Sequence, residues 1–358
     1  MERLLRDLSG MEEYVPGRGV DEVAREHGLD PDEMAKLASN ENPLGPPPAA
    51  VDAIRDAAAE AHVYPTWLHE ETREAVADHH GVPADNVVLG AGADGVFDTI
   101  GRAVIESGDA VLTPSPGFSY YGMSARNQGG TERSYELLKA EDFTYDVERI
   151  VDAEDGEKLV YVTTPNNPTG TAMPRSDVER LADRVDGAVV VDEAYHEFAD
   201  TASCLDLPLE RDDVVVSRTF SKAYGLAGLR VGYAVVPDWL AAAYRKVVTP
   251  FAVGALSLRA AQAALEDADH LDRSVERARS GRERLAEALD VATYPSQANF
   301  VLCDVAPQDA GDVAAALEAR GVIVRDTTSF GLPHCIRVSV GTEAQTERAI
   351  DAINEVCG

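Results

Sequence analysis

The segment Ser217-Arg218-Thr219-Phe220-Ser221-Lys222-Ala223-Tyr224-Gly225-Leu226-Ala227-Gly228-Leu229-Arg230 sets a lysine among small hydroxyl residues directly after an apolar run. Lysine is scarce, with five in 358 residues, at 36, 139, 158, 222 and 246. Thr219 and Ser221 offer hydroxyl donors and Arg230 offers a guanidinium fork, a combination suited to a phosphate. Upstream, Val189-Val190-Val191-Asp192-Glu193 ends an apolar strand in an acid, which is costly to bury unless it is paired. An acid after such a strand suits an NTPase, but that reading needs a Gly-Lys-Ser/Thr loop. No Gly-Lys pair occurs anywhere in the chain, so an NTPase is excluded.

A second phosphate signal lies at Gly90-Ala91-Gly92-Ala93-Asp94-Gly95, which follows a strand and opens a helix. Its glycines fit a dinucleotide turn, but the next strand ends in Thr113-Pro114-Ser115-Pro116, without a carboxylate for a ribose. What survives is a cradle of backbone N–H groups at Gly92, Ala93 and Asp94, fit for a phosphate of any origin. A tight structural turn explains the motif equally well by itself. Singly, Lys222 is a surface lysine and Asp192 a helix cap. Taken with Thr164-Pro165-Asn166-Asn167-Pro168-Thr169-Gly170 at a further strand end, they match the needs of pyridoxal 5′-phosphate. The amine forms a Schiff base, the acid pairs with the pyridinium nitrogen, and the donors hold the phosphate.

Elements that would position these groups follow from hydrophobic pattern. Val-rich runs at Asn86–Leu89, Ala110–Thr113, Leu159–Thr163, Ala188–Val191, Val214–Ser217 and Val231–Val236 alternate with helical patterns, as strands buried on both faces do. The expected class is α/β, a mostly parallel central sheet with helices on both faces, with the site in loops at the strands' carboxyl ends. After 250 the pattern changes to one long helical region from Leu256 to Leu289, then runs at Asn299–Cys303, Val322–Arg325 and Ile336–Val340 and a closing helix. The expected division is an N-terminal arm over 1–45, contributing to the smaller domain and to a dimer contact, a large α/β domain over 46–248, and a small α+β domain over 249–358.

Composition narrows the partners. The chain has 63 Asp plus Glu against 32 Lys plus Arg, a formal net charge of −31. Nucleic acid and an anionic membrane surface repel such a polyanion. No apolar run approaches the ~18 residues of a membrane span. The start, Met1-Glu2-Arg3-Leu4-Leu5-Arg6-Asp7, is too charged for a secretory signal, and a cytoplasmic protein is expected. Carboxylates spread along the whole chain suit a cytoplasm of high salt, where their repulsion is screened. The cysteines at 204, 303, 335 and 357 form no CxxC pair and the histidines form no HExxH, so no metal site is expected.

The chain resembles fold type I pyridoxal-phosphate aminotransferases, and among them the family acting on histidinol phosphate. The likeness runs over nearly the whole length: Tyr14-Val15-Pro16-Gly17, Leu37-Ala38-Ser39-Asn40-Glu41-Asn42-Pro43, Tyr64-Pro65, the 165–170 loop, Asp192-Glu193-Ala194-Tyr195, the lysine segment and Ile336-Arg337-Val338-Ser339-Val340-Gly341. The resemblance implies amino transfer between L-histidinol phosphate and 2-oxoglutarate, in histidine biosynthesis. It implies that Lys222 carries the Schiff base, that Asp192 protonates the ring nitrogen, and that Asn167 and Tyr195 bind the ring oxygen. Ala93, Asp94, Thr219, Ser221 and Arg230 would bind the cofactor phosphate, and Tyr64 would reach it from the neighbouring subunit of a homodimer. Arg337, helped by Tyr14, Arg325 and Asn167, would hold the substrate's anionic group. Phe118 stands where relatives usually carry a stacking Tyr, and Gly95 where they often carry Glu. An aromatic amino-acid aminotransferase, a decarboxylase of a phosphorylated amino acid, and a silent ligand-binding protein of the same fold remain alternatives.

Overall fold

The computed structural model describes residues 17–358 together with Leu8, Met11 and Glu13. Its first strand, β1 (Ala35–Leu37), joins the smaller of two sheets. The larger sheet holds β2 (Val87–Gly90), β3 (Ala110–Ser115), β4 (Thr131–Glu136), β5 (Leu159–Thr163), β6 (Ala188–Asp192), β7 (Val214–Thr219) and β8 (Gly232–Val235), in the order β2-β8-β7-β6-β5-β3-β4. The pairs β3–β4, β3–β5, β5–β6 and β6–β7 are parallel, and β8 alone runs against its neighbours β7 and β2. Every residue of β5 and β7 is buried, because helices cover both faces of these central strands. Residues such as Leu112, Tyr135 and Val191 fill one side, and Phe97, Tyr161 and Val190 fill the other. β4 was not expected. Its sequence Thr-Glu-Arg-Ser-Tyr-Glu is polar because it forms the edge, where charge discourages pairing with another chain.

Register gives this sheet its functional edge. Thr163 lies opposite Asp192, and Asp192 opposite Ser217, so the carboxyl ends of β5, β6 and β7 present one row of polar residues. The loops that continue from this row carry Asn167, Tyr195 and Lys222.

The smaller sheet adds β9 (Ala292–Thr293), β10 (Phe300–Asp304), β11 (Val322–Asp326) and β12 (Cys335–Ser339), in the order β1-β11-β12-β10-β9. β1 pairs parallel with β11, Ala35 opposite Val322, and the remaining pairs are antiparallel. Arg325 on β11 lies opposite Arg337 on β12. The last helix, Glu343–Cys357, starts at a reciprocal cap between Thr342 and Gln345, which satisfies two helix-end N–H groups at once.

The long helical region expected over 256–289 is two helices, Ala255–Glu266 and Ala268–Ala288. They break at Asp267 (φ −94, ψ 70), whose Oδ1 accepts the His270 N–H at 3.0 Å and caps the second helix. The apolar pattern continues across the break, which hid it. Leu258, Ala261 and Ala264 of the first helix pack into the larger sheet's core, although they follow the boundary expected at 249, whereas Leu285 of the second packs with the smaller sheet. Among the described residues, no helix is long and apolar enough to cross a membrane.

Candidate active site

A cleft of about 440 Å³ opens where the carboxyl edge of the larger sheet faces β11 and β12. Its floor is Asp192, 4% exposed. Asp192 Oδ2 accepts the Tyr121 hydroxyl at 2.6 Å and Oδ1 accepts the Ala194 N–H at 3.0 Å. Burial pushes this carboxyl up to about 6, and the two donors only partly oppose that rise. Tyr121 was missed from sequence. It is fully buried, stacks on Tyr161 at 4.4 Å, and its hydroxyl also contacts Thr163 Oγ1 at 2.8 Å. The acid at a strand end was the signal that some such partner had to exist.

Lys222 follows β7 in a tight turn, with the Gly225 N–H donating to the Lys222 carbonyl at 3.0 Å. Gly225 has φ +68, and a Cβ there would meet the Gly45 carbonyl oxygen at 2.2 Å, so no side chain fits the turn. Lys222 Nζ donates to the Ser39 carbonyl at 3.5 Å and lies 5.4 Å from the centre of the Tyr195 ring. Tyr195 is held edge-on by Phe300 at 5.3 Å. Beneath these residues Arg218, on β7, donates Nε and Nη2 to Glu193 Oε2 at 2.9 and 2.8 Å, in a buried pair also missed from sequence. The pair ties the ends of β6 and β7 together, and removing one partner would strand a buried charge at a cost of about 3–5 kcal/mol.

One end of the cleft is a donor cradle. The helix Gly92–Val104 points its N-terminus into it. Arg230 donates Nη2 to Asp94 Oδ2 at 2.7 Å and Nη1 to Ser221 Oγ at 3.2 Å. The Ser221 N–H donates to Thr219 Oγ1 at 3.1 Å. Gly92 has φ +76, and a Cβ there would come within 2.2 Å of Arg230 Nη2, so only glycine lets the guanidinium reach the helix start. Hydroxyls, a guanidinium and a helix N-terminus converging on one point fit the phosphate of pyridoxal phosphate, and Asp192 in the same cleft fits its ring nitrogen. Phe118 lines the wall between them, 5.5 Å from the Tyr121 ring.

The other end belongs to the smaller sheet. Arg337, 4% exposed, donates to Asn167 Oδ1 and, through Nη2, to the Ala38 carbonyl at 2.6 Å, with its guanidinium 5.1 Å from the Phe300 ring centre. Arg325 is more open, donating Nη2 to Ser329 Oγ at 3.2 Å and covering the Phe330 ring. Tyr14 lies outside the described residues, and Tyr64 is 78% exposed, away from the cleft of its own chain, stacked on Phe251 at 4.6 Å.

A mostly parallel sheet covered by helices on both faces, with a lysine, a buried acid and a donor cradle at its carboxyl edge, suits a pyridoxal-phosphate enzyme. The chain belongs to the aminotransferase class I and II family, which matches it over residues 32–353. It is 53% identical to the histidinol-phosphate aminotransferase of Haloferax volcanii over 353 residues, 98% of this chain and 97% of the relative. Identity to the protein of the same name from Natronomonas pharaonis is 52%, covering 98% and 99%. A solved structure of histidinol-phosphate aminotransferase from Sinorhizobium meliloti, in complex with pyridoxal-5′-phosphate, superposes with a TM-score of 0.88 at 30% identity, covering 99% of this chain and 97% of that one.

Proposed function

We propose that this chain is a pyridoxal-phosphate-dependent aminotransferase acting on L-histidinol phosphate and 2-oxoglutarate, as the names of its relatives suggest. The observation that carries the reading is one cleft with two separate anion-binding ends, the helix-start cradle and the Arg325–Arg337 pair. The first suits the cofactor's phosphate, the second a substrate anion. A guanidinium fork accepts a phosphate monoester or a carboxylate, as two alternating substrates demand.

Pyridoxal phosphate, when bound, supplies an aldehyde for amine exchange and a ring that takes up electrons. Lys222 Nζ would hold it as a Schiff base and, when free, would carry the proton lost by the substrate carbon across to the cofactor's aldehyde-derived carbon. Asp192 holds a proton on the ring nitrogen, and the Tyr121 hydroxyl keeps the carboxylate oriented. Asn167 and Tyr195, which line the cleft, would bind the ring oxygen, and Phe118 would stack on the ring. Ala93, Asp94, Thr219, Ser221 and Arg230 grip the phosphate. Because one lysine serves both substrates, they enter in turn and the kinetics are ping-pong.

Tyr64, exposed beside Phe251 and Trp67, is assigned to the partner subunit's cofactor in a homodimer. Mixing Tyr64→Phe with Lys222→Ala subunits then gathers both defects in one site and leaves the other whole. Activity above the average of the two parents supports the shared site, and activity at that average removes it. The acidic surface and the halophilic relatives support a high-salt cytoplasm as the setting. Substrate is tested by single-turnover amino transfer from histidinol phosphate, histidine, phenylalanine and glutamate. Histidinol phosphate is expected to react fastest of the first three, and faster reaction of phenylalanine would replace the assignment with an aromatic one.

A further inference from the structure

Asn40 lies in the left-handed region (φ 54), is 1% exposed, and stands between the elements that face the cleft. Its Nδ2 donates to Tyr195 Oη at 3.0 Å, and its backbone N–H donates to Ser339 Oγ at 3.0 Å. Ser339 Oγ in turn donates to Asn40 Oδ1 at 2.8 Å, and Asn299 Nδ2 donates to the Asn40 carbonyl at 3.1 Å.

Counting hydrogens fixes which way the amide points. Ser339 Oγ has one hydrogen and already accepts the Asn40 N–H, so that hydrogen must find Oδ1. Turning the amide over would set Nδ2 against Ser339 and leave the hydroxyl hydrogen without an acceptor in a buried site, at a cost of about 1–3 kcal/mol. Nδ2 therefore faces Tyr195, where it can only donate. Tyr195 Oη is the acceptor in this contact, and among the described residues no acceptor takes the Tyr195 hydroxyl hydrogen. That hydrogen is left for the cleft. Arg337, two residues before Ser339 on the same face of β12, clamps the same segment by donating to the Ala38 carbonyl.

We propose that Asn40 is a positioning residue, which by donating to Tyr195 Oη reserves the Tyr195 hydrogen for an anionic oxygen on the cofactor ring. The inference rests on the pyridoxal-phosphate reading above. It also adds polarity, since a hydroxyl that accepts one hydrogen bond donates a stronger one.

The test is a pH titration of the visible absorbance of bound pyridoxal phosphate, which reads protonation rather than turnover. Asn40→Gly removes the donor and tolerates the positive φ. A donor to a ring oxyanion favours the deprotonated form, so its loss raises the midpoint. Tyr195→Phe is expected to raise it by about one pH unit, tenfold in proton affinity, and Asn40→Gly by about half as much. In the Tyr195→Phe background, Asn40→Gly should add nothing. Ser339→Ala, which lets the amide turn, should give a smaller rise in the same direction and carries the test if Asn40→Gly folds poorly. If Tyr195→Phe moves the midpoint while Asn40→Gly and Ser339→Ala leave it in place, the role of Asn40 is overturned, even where melting falls. The same holds if the Asn40→Gly shift persists undiminished in the double variant. A Tyr195→Phe midpoint equal to wild type overturns the reading of Tyr195 instead.

Discussion

At the carboxyl edge of the larger sheet, the polar groups are held by one another before any ligand arrives. Asp192 is held by Tyr121 and Ala194, Arg230 by Asp94 and Ser221, and Thr219 by the backbone of Ser221. Across the cleft, β11 and β12 set Arg325 directly opposite Arg337, and each has protein acceptors, Asn167 and the Ala38 carbonyl for Arg337 and Ser329 for Arg325. One end gathers hydroxyls, a carboxylate and a helix start, and the other sets two guanidiniums side by side on neighbouring strands. The proposed function puts the chemistry at the first end and substrate choice at the second, and each proposal has a variant that would undo it.

The largest effect belongs to the end at the larger sheet's edge. Lys222→Ala should lower turnover by about 10⁴-fold or more and abolish the lysine-linked absorbance, while cofactor is still retained through the cradle. Near-wild-type turnover would remove the lysine from the chemistry. At the other end, Arg337→Ala should lower kcat/KM for histidinol phosphate and for glutamate alike, by about ten- to a hundredfold. Arg325→Ala should cost about three- to tenfold, more for the phosphate monoester than for glutamate, because its guanidinium is exposed and screened. Equal losses from both variants on both substrates would erase the distinction between the buried and the open arginine.

A subtler test uses pH. Burial keeps the Asp192 proton on the folded chain up to about 6, whereas the unfolded chain has lost it near pH 4. The folded state therefore enjoys the full contribution of this group below pH 4 and loses it as pH rises through 6. In cofactor-free protein Asp192→Asn should melt about 2–4 °C above the parent at pH 8, and no higher near pH 4. A gap that is the same at both pH values would put its origin elsewhere. With cofactor bound the order should reverse, since only the carboxylate pairs with a ring N–H⁺. Last, both ends share one acidic surface, and a net charge of −31 should make the melting temperature rise between low and molar KCl. A melt indifferent to salt would dismiss the high-salt setting and leave the site assignments standing.

What the sequence disclosed follows the same divide. The buried strands β5, β6 and β7 announce themselves as Val-rich runs, and Lys222, Asp192 and the glycines at 90–95 carry chemical meaning by type and position. β4 is a polar edge and β1 is three residues long, so neither leaves an apolar signature. The break at Asp267 is invisible because helical periodicity resumes one residue later. Tyr121, Arg218 and Asn40 act through partners distant in sequence, and nothing in their own neighbourhoods names those partners. Only the register of β5, β6 and β7 and the packing of residues 38–40 against β12 bring them together.

The pairing of β1 with β11 also has a consequence for biosynthesis. Residues 38–40, which touch Arg337, Lys222 and Tyr195, are anchored by a strand whose partner begins at Val322. At ribosomal speeds the early segment waits roughly 15 to 60 s for that partner to be made. During this interval the larger sheet can fold around its own core, but the cleft lacks a wall. The nascent chain thus has a sheet before it has a working site, and loss of the last forty residues would disarm the enzyme at its first forty.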